Sequence, residues 1–191
     1  MATQARGAAR RAQLLDQLVA LLLAEGFAHF TLDALAGRLH CSKSTLYTLA
    51  DSKERLVRVA TVHFFRRATE RVEERLASAV GARAGIGAYL EAVGEQLRPA
   101  SIQFMEDLAA NVVVREVYER NTRFAARRVQ ELVTGGVRAG EFREVHAEFV
   151  ADVVTSTMVR IQRRRVAEAT GLDDAQAYAE LATLVTNGLT V

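Results

Sequence analysis

A row of hydrogen-bond donors lies in one short stretch of the sequence. It combines small hydroxyl groups, one cation and one phenol, at Ser42, Lys43, Ser44, Thr45, Tyr47 and Thr48. Side chains of these types donate hydrogen bonds to phosphate oxygens and to base edges. Leu46 and Leu49 are spaced as the inward anchors of a helix, and the small residues beside them would let that helix enter a major groove. The row therefore indicates contact with a nucleic acid.

Signals of catalysis are missing from the sequence. There is no G-x-S-x-G, H-E-x-x-H, Walker or dinucleotide-binding pattern. The histidines are scattered, at His29, His40, His63 and His146, and the chain has one cysteine. Metal sites need such ligands at close spacing. We therefore expect no enzyme activity, no cofactor and no metal site.

The positive charge is concentrated in the first third of the chain. Residues 1–60 carry eight Lys or Arg and five Asp or Glu, whereas residues 61–191 carry 17 and 18. Such asymmetry indicates a polyanionic partner, although three excess charges also fit chance. Arg6, Arg10 and Arg11 are predicted to form an arm ahead of the first helix. Lys53, at the start of a long helix, is predicted to hold a phosphate.

The elements that would present these donors are helices. Half of the residues are hydrophobic, only one is proline, and Ala, Leu, Arg and Glu dominate. The spacing of apolar residues predicts an all-α chain with about nine helices. They cover approximately residues 8–25, 32–39, 43–49, 52–80, 86–98, 102–112, 118–132, 145–170 and 173–189. Residues 81–87 are predicted to be a glycine-rich loop, and Gly135–Gly136 to close the seventh helix.

Capping residues mark the limits of the two shortest helices. Thr31 and Ser42 each precede a short apolar pattern, where a hydroxyl can accept from free backbone amides. Two short helices joined by a tight turn form a helix-turn-helix. Gly26 is predicted to end the helix before them. The D-x-x-E pattern of Asp51 and Glu54 predicts a capping box at the start of the long helix.

This arrangement resembles the TetR family of bacterial transcriptional regulators. The matching segments are LLDQLVALLLAEGFAHFTLDALAGRLHCSKSTLY and DSKERLV, within Leu14 to Val57. Beyond them the resemblance extends to length and helix count. Departures occur at His40, where the family usually has glycine, at Cys41, where it has a small aliphatic residue, and at Thr48–Ala50, where it often has a polar-His-Phe triplet. The last departure leaves the operator sequence open.

The resemblance implies a ligand-responsive regulator, expected to act as a repressor. It implies a homodimer on a pseudo-palindromic DNA operator, with a DNA-binding domain at residues 1–50. Residues 51–191 would then bind a small-molecule effector and form the dimer. The residues expected to bind DNA are Arg10, Thr31, Ser42, Lys43, Ser44, Thr45, Tyr47, Thr48 and Lys53. Those expected to bind an apolar or amphipathic effector are Phe64, Tyr89, Met105, Leu108, Asn121, Phe124 and Met158. Those expected at the dimer interface, on the last two helices, are Phe149, Val153, Tyr178, Leu181 and Val185.

Several alternatives remain open from the sequence. The protein could be a DNA-binding regulator controlled by a partner protein, or a helical enzyme or carrier that retains the domain as a relic. Cys41 fits either a redox sensor or a packed side chain, and Asn121 fits either an effector contact or an interhelical bond. The single cysteine, the absence of a signal-peptide pattern and the absence of a long apolar run predict a cytoplasmic protein without membrane contact.

Overall fold

The regular elements in the described part of the chain are all helices, as predicted. The computed structural model describes the backbone of residues 2–190 and the side chains of residues 7–190, so the side chain of Arg6 lies outside the described part. Ten helices occur in the described residues: α1 (Ala2–Glu25), α2 (Leu32–Arg38), α3 (Lys43–Tyr47), α4 (Lys53–Ala77), α5 (Ala82–Leu97), α6 (Ile102–Ala110), α7 (Val112–Arg138), α8 (Ala147–Gln162), α9 (Arg165–Thr170) and α10 (Asp174–Leu189). None of the described helices is long and apolar enough to cross a membrane.

The helix α1 begins earlier than the sequence predicted. It starts at Ala2, so Arg10 and Arg11 lie on the helix itself. The prediction of an arm ahead of the first helix is therefore wrong. The physical reason is local, because the Ala-, Gln- and Arg-rich first residues are good helix formers and the single Gly7 does not outweigh them.

Two predicted glycine breaks lie inside helices. The expected loop over residues 81–87 is helical from Ala82, and α7 continues through Gly135 and Gly136 to Arg138. At Gly136 a Cβ atom would overlap the Phe142 ring and lie 2.7 Å from Ala82 Cβ. This glycine therefore allows close packing, which outweighs its poor helix propensity.

The predicted helix over residues 145–170 is interrupted. Arg164 has a φ of +59°, in the left-handed region, and separates α8 from α9. Its guanidinium lies 2.7 Å from Asp174 Oδ1 at the start of α10. Few non-glycine residues adopt this conformation, and at Arg164 it occurs together with the ion pair to Asp174. The interruption explains why the described residues form ten helices instead of the nine that were predicted.

The packing divides the chain into two compact units. Unit 1 comprises residues 1–66 and 99–118, and unit 2 comprises residues 67–98 and 119–191. In unit 1, α6 packs against α1, and buried Phe104 contacts Phe27 edge to face. In unit 2, α5 and α10 pack along each other around buried Leu90 and Tyr178. The packing boundary thus differs from the functional boundary expected at residue 50, which stays a prediction.

Candidate nucleic-acid interface

The helices α2 and α3 form the expected helix-turn-helix. Thr31 Oγ1 accepts a hydrogen bond from the Ala34 amide (3.1 Å), and Ser42 Oγ accepts one from the Thr45 amide (3.2 Å). Both predicted caps are confirmed. Between the helices His40 has a φ of +48°, so histidine occupies the left-handed position without glycine.

The helix α3 is held by its apolar side and presents its polar side outward. Leu46 is almost fully buried, as are Leu49 beyond the helix end and Leu35 on α2. Tyr47, by contrast, is 48% exposed. An exposed aromatic ring next to a buried anchor is available to a partner, because the anchor fixes the helix that carries it.

The hydroxyl groups of the donor row interact with one another. Ser42 Oγ lies 2.7 Å from Ser44 Oγ and 2.8 Å from Thr45 Oγ1. Thr48 Oγ1 donates to the Thr45 carbonyl oxygen at 2.7 Å. These exposed bonds order the row at the start of α3, and a hydroxyl can exchange such a local bond for one to a phosphate or base.

Lys43 is paired with an acid on the neighbouring helix. Its Nζ lies 2.6 Å from Asp33 Oδ1, and both side chains are largely exposed. The hydrogen bond to Asp33 raises the pKa of Lys43 above its usual value. Asp33 lies in the first turn of α2. The pair itself depends on the crossing of the two helices, for which no local pattern exists.

Lys53 lies at the first position of α4 and also has a partner. Its Nζ donates to the Ala28 carbonyl oxygen at 2.9 Å. The predicted capping box at Asp51 is wrong, because α4 begins one residue later than expected. Ser52 Oγ accepts a hydrogen bond from the Arg55 amide (3.2 Å). The Asp51 carboxylate instead forms an ion pair with the Arg55 guanidinium (2.6 Å).

An open groove of about 560 Å³ brings part of the donor row together with the start of α1. Its lining includes Arg10 and Arg11 from α1 together with Ser44, Thr45 and Thr48 from the donor row. Two arginines and three hydroxyl-bearing residues therefore line the same groove, a combination suited to a phosphate backbone. Tyr47, Lys43 and Lys53 are not among its lining residues.

Cys41 also borders this groove. It is half-buried, and burial raises the pKa of its thiol. A raised pKa lowers the fraction of reactive thiolate. This favours packing in the turn over redox sensing for Cys41.

The residues expected to bind an effector are divided between the two units. Phe64, Met105 and Leu108 lie in unit 1, and Tyr89, Asn121, Phe124 and Met158 lie in unit 2. Most of these side chains are buried, and burial raises the pKa of Tyr89. The pocket beside Phe64 has no space large enough for a water molecule. Asn121 is half-buried and Phe124 is 40% exposed.

The residues expected at the dimer interface differ in exposure. Tyr178 is 2% exposed and Leu181 is also buried, both in the core of unit 2. Phe149 (66% exposed) and Val153 lie on the surface of α8, and Val185 on α10 is half-buried. Leu184 on α10, which was not among the expected residues, is 73% exposed. The interface itself stays a prediction.

Comparison with known proteins gives matches in structure only. No protein-family model and no curated protein sequence matches the chain. A TetR transcriptional regulator from Chloroflexus aurantiacus has a TM-score of 0.79 at 22% identity, covering 97% of this chain and 98% of that one. A TetR-family regulator from Thermus thermophilus, PfmR, has a TM-score of 0.70 at 18% identity, covering 93% and 99%.

A third similar structure contains a small molecule. A protein from Saccharomonospora viridis, assigned as a transcriptional regulator, was crystallised in complex with choline. It has a TM-score of 0.81 at 15% identity, covering 96% of this chain and 99% of that one. Together these likenesses confirm the fold that the resemblance implied.

Proposed function

We propose that this chain, which has the fold of the TetR-family transcriptional regulators, is a transcriptional regulator that reads duplex DNA with α3. The observation that carries the proposal is the outward face of α3, where Lys43 and exposed Tyr47 stand beside a buried Leu46 anchor. Reading of bases requires a rigid element whose exposed donors enter the major groove. Arg10 and the hydroxyl row in one groove supply contacts to the backbone.

The roles of the cations differ in this proposal. Lys43 lies on α3 and would exchange Asp33 for a phosphate or base. Lys53 lies at the first position of α4, where its ammonium and the free amides would meet a phosphate. Loss of a phosphate contact weakens binding evenly across sequences and reduces its dependence on salt.

The test begins with duplexes selected by the wild-type protein from random DNA. Tyr47→Ala and Lys43→Ala should each weaken binding to the selected duplex while leaving the unfolding midpoint unchanged. Lys53→Ala should flatten the salt dependence. Arg138→Ala, a matched loss of an exposed cation on α7, is the control and should bind as wild type. Wild-type affinity in both α3 variants would refute the assignment.

The second part of the proposal is a homodimer formed through α8 and α10. Support comes from the exposed apolar side chains Phe149 and Val153 on α8 and Leu184 on α10. Apolar surface of this kind in an otherwise soluble fold favours an interface. Two copies would bind two half-sites of one operator.

Light scattering tests the dimer. The wild-type protein should give twice 20.9 kDa. Phe149→Arg and Leu184→Arg should shift it to the monomer and abolish binding to the selected duplex. Val80→Arg is the matched control, because Val80 is 91% exposed but lies between α4 and α5. A wild-type monomer that binds the selected duplex would exclude this assembly.

The third part is control by a small apolar or amphipathic effector that weakens DNA binding, as expected of a repressor. Choline in the Saccharomonospora viridis structure supports a small-molecule effector as such, although choline is a small cation and not an apolar molecule. An effector releases DNA only if it prefers the conformation that does not bind DNA, and the coupling is reciprocal.

Calorimetry with a compound library, including choline, tests the effector with and without the selected duplex. Saturating duplex should weaken effector binding by about 5–150-fold. Equal affinity in both conditions would contradict the coupling. Asn121→Leu should change which compounds bind; a change in stability alone would make Asn121 a packing residue.

A further inference from the structure

The turn between α1 and α2, residues 26–28, lies directly against α6. Gly26 has a φ of +77°, which glycine adopts without strain. A Cβ atom at Gly26 would lie 2.6 Å from Gln103 Cγ and 2.7 Å from Asp107 Oδ2. There is no room for a side chain at this position, so the backbone of the turn itself contacts α6.

A buried carboxylate makes this contact specific. Asp107 is 5% exposed. Its Oδ2 accepts hydrogen bonds from the amides of Phe27 (2.5 Å) and Ala28 (2.8 Å), and its Oδ1 accepts one from Gln103 Nε2 (2.8 Å). The Phe27 amide is buried and the Ala28 amide is partly buried, and a buried amide that loses its acceptor is destabilising, so these two bonds fix the turn on α6.

Other contacts hold the same segment. The Ser101 amide, just before α6, donates to the Leu23 carbonyl oxygen at 2.8 Å. On the opposite side of the turn, Lys53 Nζ donates to the Ala28 carbonyl oxygen. The residue Ala28 is thus held from α6 through its N–H and from α4 through its C=O.

The turn leads directly into the DNA-reading helices. Thr31, three residues beyond Ala28, caps α2, and α2 packs against α3. A displacement of the turn would therefore move the start of α2 and, with it, the exposed row on α3. Recognition of bases depends on such placement, because side chains must meet base edges at hydrogen-bond distance.

From this geometry we propose that Asp107 is a positioning residue for DNA recognition. It lies far from the helix-turn-helix in sequence and is buried, but it fixes the turn that orients α2 and α3. The inference rests on the proposed function. It predicts that a looser turn reduces sequence preference more than total affinity, because binding through phosphates tolerates changes in orientation.

The experiment compares three variants of the full chain. Asp107→Ala removes Oδ2, which is the acceptor of both turn amides. Asp107→Asn keeps the shape and one neutral acceptor. Gln103→Ala is the control, because it removes the partner of Oδ1 from the same helix and leaves the bonds to Phe27 and Ala28. For each protein, dissociation constants are measured for the selected duplex and a random-sequence duplex, together with hydrogen exchange of the Phe27 and Ala28 amides.

Asp107→Ala should lower the ratio of selected to random affinity by about tenfold, the size expected when one buried and one partly buried amide lose their acceptor. Asp107→Asn should give a smaller loss, and Gln103→Ala none. Exchange at Phe27 and Ala28 should accelerate in the same order. If Asp107→Ala does not fold, the comparison of Asp107→Asn with Gln103→Ala tests the proposal, again by the affinity ratio and by amide hydrogen exchange.

Three results would each overturn the proposal. They are faster amide exchange with an unchanged affinity ratio, a loss in Gln103→Ala equal to that in Asp107→Ala, and unchanged amide exchange in the Asp107 variants. Failure of the proposed function would be distinct, because wild-type protein would then prefer no duplex before any variant is compared.

Discussion

Two neighbouring glycines near the end of α7 should respond in opposite ways to substitution by alanine. Gly135 is exposed, and a Cβ atom there would meet nothing within 4 Å. Gly136 is buried, and its Cβ would overlap the Phe142 ring and approach Ala82 Cβ to 2.7 Å. Both substitutions replace glycine by alanine in the same helix. A difference between them in the free energy of unfolding therefore reports the difference in packing.

The magnitudes follow from helix propensity and packing. Alanine in place of a helical glycine stabilises by about 0.5–1 kcal/mol, because glycine loses more backbone entropy on folding. Gly135→Ala should show this gain, reduced near the helix end. At Gly136 the same gain is offset by displacement of an aromatic ring, and overpacking destabilises by about 1–3 kcal/mol. Gly136→Ala should therefore lower the free energy of unfolding by about 1–2 kcal/mol.

The assay is urea unfolding followed by far-ultraviolet circular dichroism, with all three proteins at one concentration. Gly135→Ala should raise the midpoint and Gly136→Ala should lower it, with similar denaturant slopes. Wild-type stability in Gly136→Ala would mean that Phe142 does not pack on α7. Destabilisation by Gly135→Ala would mean that α7 ends before the glycine pair, as the sequence alone predicted.

Three further substitutions or reactions test local electrostatics. Asp33→Asn should strengthen DNA binding in an anisotropy titration, because Lys43 loses its competing partner; no gain would mean that Asp33 does not compete with DNA. Arg38 holds the pKa of Glu25 below its usual value, so this pair stabilises the fold above the ordinary carboxyl pKa and the effect is lost as pH falls through the lowered value. Glu25→Gln should thus reduce the loss of thermal stability on acidification, and an unchanged pH profile would contradict this. Cys41 should react with iodoacetamide more slowly in the folded protein than in urea, because burial raises the pKa of its thiol; equal rates would restore the redox-sensor hypothesis.

The helix-turn-helix could be predicted because its signals are local. Caps at Thr31 and Ser42 and the helix end at Gly26 each depend on a few neighbouring residues. His40 adopts the left-handed conformation at the turn where the family usually has glycine, since histidine tolerates that conformation. Of the predicted caps, the one at Asp51 is wrong. Asp51 and Ser52 are both able to accept a backbone amide there, and Ser52 accepts the Arg55 amide.

Features that depend on distant contacts could not be predicted in this way. Asp107 holds a turn some 80 residues away, and Gly136 is helical because a ring packs on it. Apolar spacing identifies a buried face but does not say which chain buries it. Tyr178, which the spacing placed at an interface, is buried within its own chain, and Leu184, which was not among the expected residues, is exposed.

The claim that α3 reads DNA is tested most directly by titrating isotope-labelled protein with the selected duplex and following backbone amide shifts. The largest shifts should occur at residues 42–48 and at Lys53. A random-sequence duplex should change the amide shifts of Arg10 and Lys53. It should leave the amide shift of Tyr47 close to its value in the free protein, because only the selected sequence engages base edges. Shifts concentrated on α8 and α10, with residues 42–48 unchanged, would contradict the account.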